Sequence, residues 1–78
     1  MWKTGRIGTV GSPNIYEYHA KVCDEAWDFG IQEGKIIKLT IRKVGEPEWL
    51  LNYDREWDVL PANEEVGKIL QIILAEHN

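Results

Sequence analysis

The hydrophobic pattern of this chain changes its period once, near Pro61, and that change limits the fold more than any other feature. Before Pro61, apolar and polar residues alternate in short runs, which is typical of β-strands with one buried face. After it, apolar residues recur at the spacing of an amphipathic helix, and these residues are Val66, Ile69, Leu70, Ile73 and Leu74. We therefore predict a helix over about residues 64–76, with Asn63 as its N-cap.

The alternating part of the chain divides into four predicted strands, separated by turn residues. The strands cover about residues 2–10, 15–23, 36–44 and 49–58. All connections are short, so neighbouring strands are expected to pair in antiparallel order. The prediction is an α+β fold in which one C-terminal helix packs on a four-stranded antiparallel β-meander. A chain of 78 residues has room for one hydrophobic core, so residues 1–78 are expected to form a single domain.

Aromatic side chains are unusually abundant, with four tryptophans, three tyrosines and one phenylalanine. Strand alternation puts Trp49, Tyr53 and Trp57 on one stripe, which we expect to lie under the helix. In the connection before the third strand, Trp27 and Phe29 are expected to pack back onto the core. A single helix covers one face of a sheet, so the other face is left to solvent or to a partner. Aromatic residues that would signal such a partner surface, if they lie outside the core, are Trp2, Tyr16, Tyr18 and Trp27.

Charge and cysteine content exclude several classes of protein. Thirteen acidic residues against nine basic ones give a net charge of −4, the wrong sign for general nucleic-acid binding. The single cysteine, Cys23, cannot form an internal disulfide, and the N-terminus lacks the apolar segment of a signal peptide, so we expect a cytoplasmic protein. The longest apolar run, residues 72–75, is far too short to span a membrane.

Two groups of residues are candidates for binding. Arg55 alternates onto the predicted face of Tyr53 and Trp57, where a guanidinium can stack on aromatic rings while it reaches a carboxylate. That arrangement either locks the hairpin or holds a ligand. Lys38 and Arg42, with Thr40 between them, form a second stripe that is either a solvated face or a site for an anion.

No motif for catalysis, metal or cofactor is complete. Carboxylates at the spacing of a calcium loop run from Asp54 to Glu65, but Val59 stands where that loop requires glycine. His19 and His77 are too few for a metal site, and Cys23 has no base beside it to activate the thiol. We therefore predict no metal, no cofactor and no enzymatic activity.

One set of short segments carries a family resemblance. The segments are Phe29-Gly30-Ile31, Gly34-Lys35-Ile36, Lys38-Leu39, Ile41-Arg42-Lys43, Tyr53-Asp54-Arg55 and Trp57-Asp58. They resemble a family of short uncharacterised proteins from Gram-positive bacteria, their phages and other mobile elements. Glu56 departs from the family pattern, in which a glycine precedes the tryptophan. The resemblance implies a mobile-element origin and brings no activity with it.

These observations lead to two hypotheses about function. The first is a non-enzymatic protein-interaction module that uses the uncovered sheet face to bind another protein or a second copy of itself as a homodimer. The alternative is a phage counter-defence protein that sequesters an anionic or nucleotide-like small ligand through Arg55, Trp57, Lys38 and Arg42. Tyr53 and Trp27 complete the predicted binding residues.

Overall fold

The computed structural model describes residues 1–78 and contains one antiparallel sheet and one helix. The strands are β1 (Trp2–Gly8), β2 (Ile15–Val22), β3 (Ile36–Lys43), β4 (Leu51–Asp54) and β5 (Trp57–Val59), and the helix is α1 (Glu64–His77). A 3₁₀ turn, Ile31–Glu33, lies in the connection between β2 and β3. Strand order in the sheet is β1-β2-β3-β4-β5, so the predicted α+β class, the meander order and the C-terminal helix are confirmed.

The prediction of four strands is wrong, because the predicted fourth strand is a hairpin of two. Its chain reverses at Arg55, whose φ of 62° lies in the left-handed region. Tyr53 pairs with Trp57 across the hairpin, and the Asp54 amide donates to the Glu56 carbonyl within the turn. A hairpin of this length keeps Tyr53 and Trp57 on the same side of the sheet, so the alternation of residues continues through the turn and conceals it.

The core lies between the helix and one face of the sheet. Its residues are Tyr16, Tyr18, Ala20, Ile31, Ile36, Leu39, Ile41, Leu51, Tyr53, Val66, Ile69, Leu70, Ile73 and Leu74. They include every apolar residue that the helical spacing predicted. From β2 they include Tyr16, Tyr18 and Ala20, while Val22 at the end of that strand is only partly buried. We call this side of the sheet the covered face, and its opposite the open face.

Several aromatic residues lie outside the core, against expectation. Trp49 precedes β4 and is 41% exposed, so it does not lie under the helix. Trp57 lies on the short edge strand β5 and is 39% exposed. Its ring packs edge-on against that of Tyr53, with 5.0 Å between the ring centroids. In the β2–β3 connection, the 3₁₀ turn buries Ile31 instead of Trp27 and Phe29, which are 54% and 60% exposed.

Both ends of α1 are fixed by hydrogen bonds. The Asn63 side chain accepts from the Val66 amide at 2.9 Å, as the N-cap prediction requires. At the other end, Asn78 Oδ1 accepts from the Lys35 amide at 2.8 Å and the Ile36 amide at 3.2 Å, while its Nδ2 donates to the Ile31 carbonyl at 3.0 Å. The end of the helix therefore holds the connection between β2 and β3 in place.

Candidate functional site

The open face carries an excess of positive charge on an acidic chain. Strand register assigns to this face Trp2, Thr4, Arg6, Glu17, His19, Lys21, Lys38, Thr40, Arg42, Asn52 and Asp54. Four of these residues are lysine or arginine and two are acidic, whereas the whole chain has a net charge of −4. The acidic excess therefore lies elsewhere on the molecule, and the face that the helix leaves open attracts anionic groups.

A trough crosses the open face between two tryptophans. Trp2, 56% exposed, and Trp49 both line it, and its volume is about 430 Å³. Arg42 pairs with Glu17 on the neighbouring strand and lies over the Trp49 ring, with its Cζ 5.6 Å from the ring centroid. These contacts hold Arg42 and Trp49 in one orientation. The two side chains therefore lose less conformational entropy when a partner binds.

A second concavity, the loop-side groove, lies between the β2–β3 connection and the β4–β5 turn. It measures about 620 Å³ and is lined by Lys21, Trp27, Phe29, Ile37, Lys38, Asp54, Arg55 and Glu56. Lys21 and Lys38 lie directly opposite each other on β2 and β3. Like charges in that position repel each other, since their β-carbons are only about 5 Å apart.

The carboxylates nearby neutralise this charge incompletely. Asp54 Oδ1 is 3.9 Å from Lys38 Nζ and 3.7 Å from Arg55 Nε, so one carboxylate serves two cations. Lys21 has no carboxylate within 4.0 Å of its amine. The groove thus holds three cations and two carboxylates, since Glu56 also lines it, but only Asp54 lies within 4.0 Å of any of the cations. The remaining positive charge favours an anion from outside the chain.

The aromatic wall of the groove is mounted on a rigid connection. The Tyr53 hydroxyl donates to the Phe29 carbonyl at 2.7 Å, and the Trp27 amide donates to the Gly34 carbonyl at 2.9 Å. Ile31 is buried between these anchors. The exposure of Trp27 and Phe29 is therefore imposed by the fold rather than by a loose loop.

A separate polar cluster joins the β1–β2 turn to the start of α1. The Glu65 carboxylate accepts from the Thr9 hydroxyl at 3.2 Å and from the Asn14 side-chain Nδ2 at 3.4 Å. Hydrogen bonding from Ser12 above all, and from Asn14, Thr9 and Tyr16, lowers the pKa of the Glu65 carboxyl. Since the Glu65 side chain is occupied by these donors, the cluster has a structural role.

The structure does not bring the predicted binding residues together at one site. Lys38 and Arg42 lie on the open face, as their shared stripe predicted. Arg55 is in the β4–β5 turn, so its predicted position on the face of Tyr53 and Trp57 is wrong. The loop-side groove brings Lys38 and Arg55 together with Trp27, and Lys38 also lines the trough with Arg42. The buried Tyr53 donates its hydroxyl hydrogen bond to the β2–β3 connection. Trp57 lines neither concavity.

Sequence reasoning did not single out Lys21, Phe29 or Trp49 as binding residues. The alternation of β2 put Lys21 on a polar face, but only the register of β2 against β3 brings its amine opposite Lys38. Alternation over residues 49–58 predicts Trp49 within a strand, whereas it lies in the loop before β4.

The structure contains no group of three or more His, Cys, Asp and Glu side chains arranged to hold a metal ion. Its one helix falls short of the length and apolar content that crossing a bilayer requires. Cys23 is a half-buried free thiol.

Comparison with known families gives one match. The model of a family described as a domain of unknown function (DUF7678) matches residues 1–78, the whole chain, and the chain therefore belongs to that family. Neither a curated protein nor a solved structure matches it. The resemblance to an uncharacterised family is confirmed at this level, while the distribution among bacteria, phages and mobile elements stays a prediction.

Proposed function

We propose that this member of a family of unknown function is a non-enzymatic binding module that uses the open face of its sheet to bind a partner protein. The observation that carries the proposal is the pair of exposed tryptophans, Trp2 and Trp49, on a face with excess positive charge. Tryptophan and arginine are the residues most enriched among those that dominate protein interfaces. The partner surface we propose is an acidic segment with apolar side chains that reach the two indoles.

The charge of the open face favours a different protein as the partner, rather than a second copy of this chain. A symmetric dimer through this face would bring its own basic residues together, since the same patch meets itself in a two-fold interface. Arg6, Lys21 and Lys38 would then approach their counterparts, with Glu17 and Asp54 as the only acidic residues on the face. An acidic partner removes that repulsion.

Photo-cross-linking from the centre of the open face tests the proposal. A photoreactive residue replaces Thr40, which lies on β3 and lines the trough together with the two tryptophans. In a matched variant it replaces Gln71, which is exposed on α1. We expect a cross-linked partner in host lysate from position 40 alone, and we expect Trp49→Ala to reduce its yield. Equal products from both positions, or a yield that Trp49→Ala leaves unchanged, would contradict the proposal.

Light scattering measures the contribution of self-association. We expect a monomer over the concentration range of the cross-linking experiment. A dimer that Thr40→Glu dissociates would replace the acidic partner by a second copy. A dimer that is indifferent to Thr40→Glu would move the interface to another surface.

A second proposed function, the binding of a small anionic ligand, is supported by the loop-side groove. Of the four residues that the sequence predicts for such a ligand, Lys38 and Arg55 line that groove, while Arg42 is paired with Glu17. The observation that favours this function is the opposed pair Lys21 and Lys38. Lys38 shares Asp54 with Arg55, and Lys21 has no carboxylate within 4.0 Å. Retention of an anion through native mass spectrometry of freshly purified protein tests it.

The biological setting also remains a proposal. We propose a cytoplasmic protein of phage or other mobile-element origin, in line with the free thiol of Cys23 and the family resemblance. The genomic neighbours of family members test the origin, since integrases or structural phage genes beside them are expected.

A further inference from the structure

We infer that the loop-side groove is a binding site for a nucleoside phosphate, either free or at the end of a nucleic-acid strand. The inference rests on the second of the two proposed functions and names the ligand class. The groove adjoins the trough proposed for the partner protein and shares Lys38 and Asp54 with it, whereas Trp2, Trp49 and Arg42 line only the trough.

The phosphate part of the ligand is assigned by the cations. Lys21 and Lys38 project from directly opposed positions, and Arg55 reaches the same space from the β4–β5 turn. Asp54 lies within 4.0 Å of Lys38 and Arg55 and no carboxylate lies that close to Lys21, although Glu56 also lines the groove. A phosphate placed among the three cations replaces repulsion between Lys21 and Lys38 by attraction to both, and the guanidinium of Arg55 can donate two parallel hydrogen bonds to it.

The nucleoside part is assigned by the aromatic wall. Trp27 and Phe29 are more than half exposed, and neither has a ring partner within the chain. Stacking on an exposed aromatic side chain suits any nucleobase, since every base presents a flat π-face. The volume of about 620 Å³ lies within the range of small-molecule sites and accommodates a base, a sugar and one phosphate.

Backbone geometry supports a site that is formed in advance. The non-glycine residues with positive φ are Gln32, Glu33 and Arg55, at 54°, 56° and 62°. All three belong to the two segments that enclose the groove. Such conformations are unfavourable for residues with a β-carbon and concentrate at functional sites. At Arg55 the strained backbone turns a cation toward the groove at a position where glycine would be the easier choice.

The test is a titration of the ¹⁵N-labelled protein with AMP, followed through its backbone amide resonances. Adenosine and inorganic phosphate serve as the two half-ligands, and a short single-stranded oligonucleotide with a 5′-phosphate distinguishes a strand end from a free nucleotide. We expect saturable shifts at Trp27, Gly34 and Arg55 with AMP and much weaker binding of either half-ligand. Tighter binding of the oligonucleotide than of AMP would assign the strand end as the source.

Variants separate the charge from the ring. Arg55→Gly removes the cation and relieves the positive φ, so it is expected to keep or raise the melting temperature while AMP binding weakens about tenfold. Lys21→Gln is expected to weaken binding by a similar factor. Lys68→Gln, which removes a cation from the exposed helix surface, is the matched control and leaves binding unchanged. Trp27→Ala weakens binding and Trp27→Phe restores most of it.

The outcomes distinguish the two levels of the proposal. If phosphate binds as well as AMP and Trp27→Ala has no effect, the anion site stands and the nucleoside class is refuted. If no probe gives saturable shifts, or if Lys68→Gln weakens binding as much as Lys21→Gln, the ligand function itself is refuted. The cross-linking experiment probes Thr40 and Trp49, which line the trough and not the groove, so it reports on the other proposal.

Discussion

The amide side chain of Asn78 is expected to stabilise this fold more than any other surface polar group. It makes three hydrogen bonds to backbone groups of the β2–β3 connection. Each such bond contributes about 0.5–1.5 kcal/mol, and bonds from one side chain do not add fully, so we expect Asn78→Ala to lower the free energy of unfolding by about 2–3 kcal/mol. In a domain of this size that corresponds to a fall of about 10–20 °C in melting temperature.

Gly34 makes this prediction sharper, because its missing side chain is what allows Asn78 to reach the connection. A β-carbon at Gly34 would lie 2.1 Å from Asn78 Oδ1, and its three nearest neighbours are all Asn78 atoms. Gly34→Ala therefore expels the amide and is expected to cost as much as Asn78→Ala. In the Asn78→Ala background the same change meets no amide, and its cost should fall close to zero.

Urea unfolding of the four proteins in this cycle, followed by tryptophan fluorescence and circular dichroism, measures the coupling. We expect a coupling free energy of about 2 kcal/mol between the two positions. The reasoning is refuted if Asn78→Ala costs less than about 0.5 kcal/mol, or if Gly34→Ala costs the same in both backgrounds.

Three further changes test other contacts. Tyr53→Phe removes the donor to the Phe29 carbonyl and should cost about 1 kcal/mol in urea unfolding, with faster hydrogen exchange confined to the β2–β3 connection; faster exchange throughout the sheet would contradict this role. The pKa of Glu65 is lowered in the folded state, so its contribution to stability is complete above its usual range and is lost as pH falls through the folded value. Glu65→Gln should therefore flatten the acid limb of the stability curve below about pH 4, and an unchanged limb would exclude this role. Ile73→Ala should lower the free energy of unfolding by about 2–5 kcal/mol, whereas Ile72→Ala, at its exposed neighbour, should lower it by less than about 0.5 kcal/mol. Equal losses at the two positions would contradict the orientation of the helix on the sheet.

The spacing of apolar residues along the chain determines which parts of the fold can be predicted from the sequence. The helix boundaries, its buried face and its N-cap follow from the spacing of Val66 to Leu74 and from Asn63, since a helix shows its period over many residues. The β4–β5 hairpin was concealed because Asp54, Arg55 and Glu56 lack the glycine or asparagine that usually marks a tight turn.

The candidate sites depend on features that alternation alone does not carry. Lys38 could be assigned to a polar stripe from sequence, but its opposition to Lys21 follows from the register between β2 and β3, with a shift after Lys21. In the β2–β3 connection, Trp27 and Phe29 alternate with polar residues as a strand would. The 3₁₀ turn at Ile31–Glu33 overrides that pattern, because burial of Ile31 and the contacts of Asn78 fix the backbone there.

The order of strands in the sheet has a consequence for how quickly the chain folds. Every strand pairs only with its neighbours in sequence, so the sheet can form hairpin by hairpin, with the β2–β3 connection as the longest loop to close. The helix is different, since Glu65 meets Thr9 across 56 positions and His77 meets Tyr18 across 59. We expect a transition state in which β2 and β3 are largely paired while the helix has yet to dock. Destabilising changes at the helix contacts should then accelerate unfolding and leave the folding rate almost unaltered.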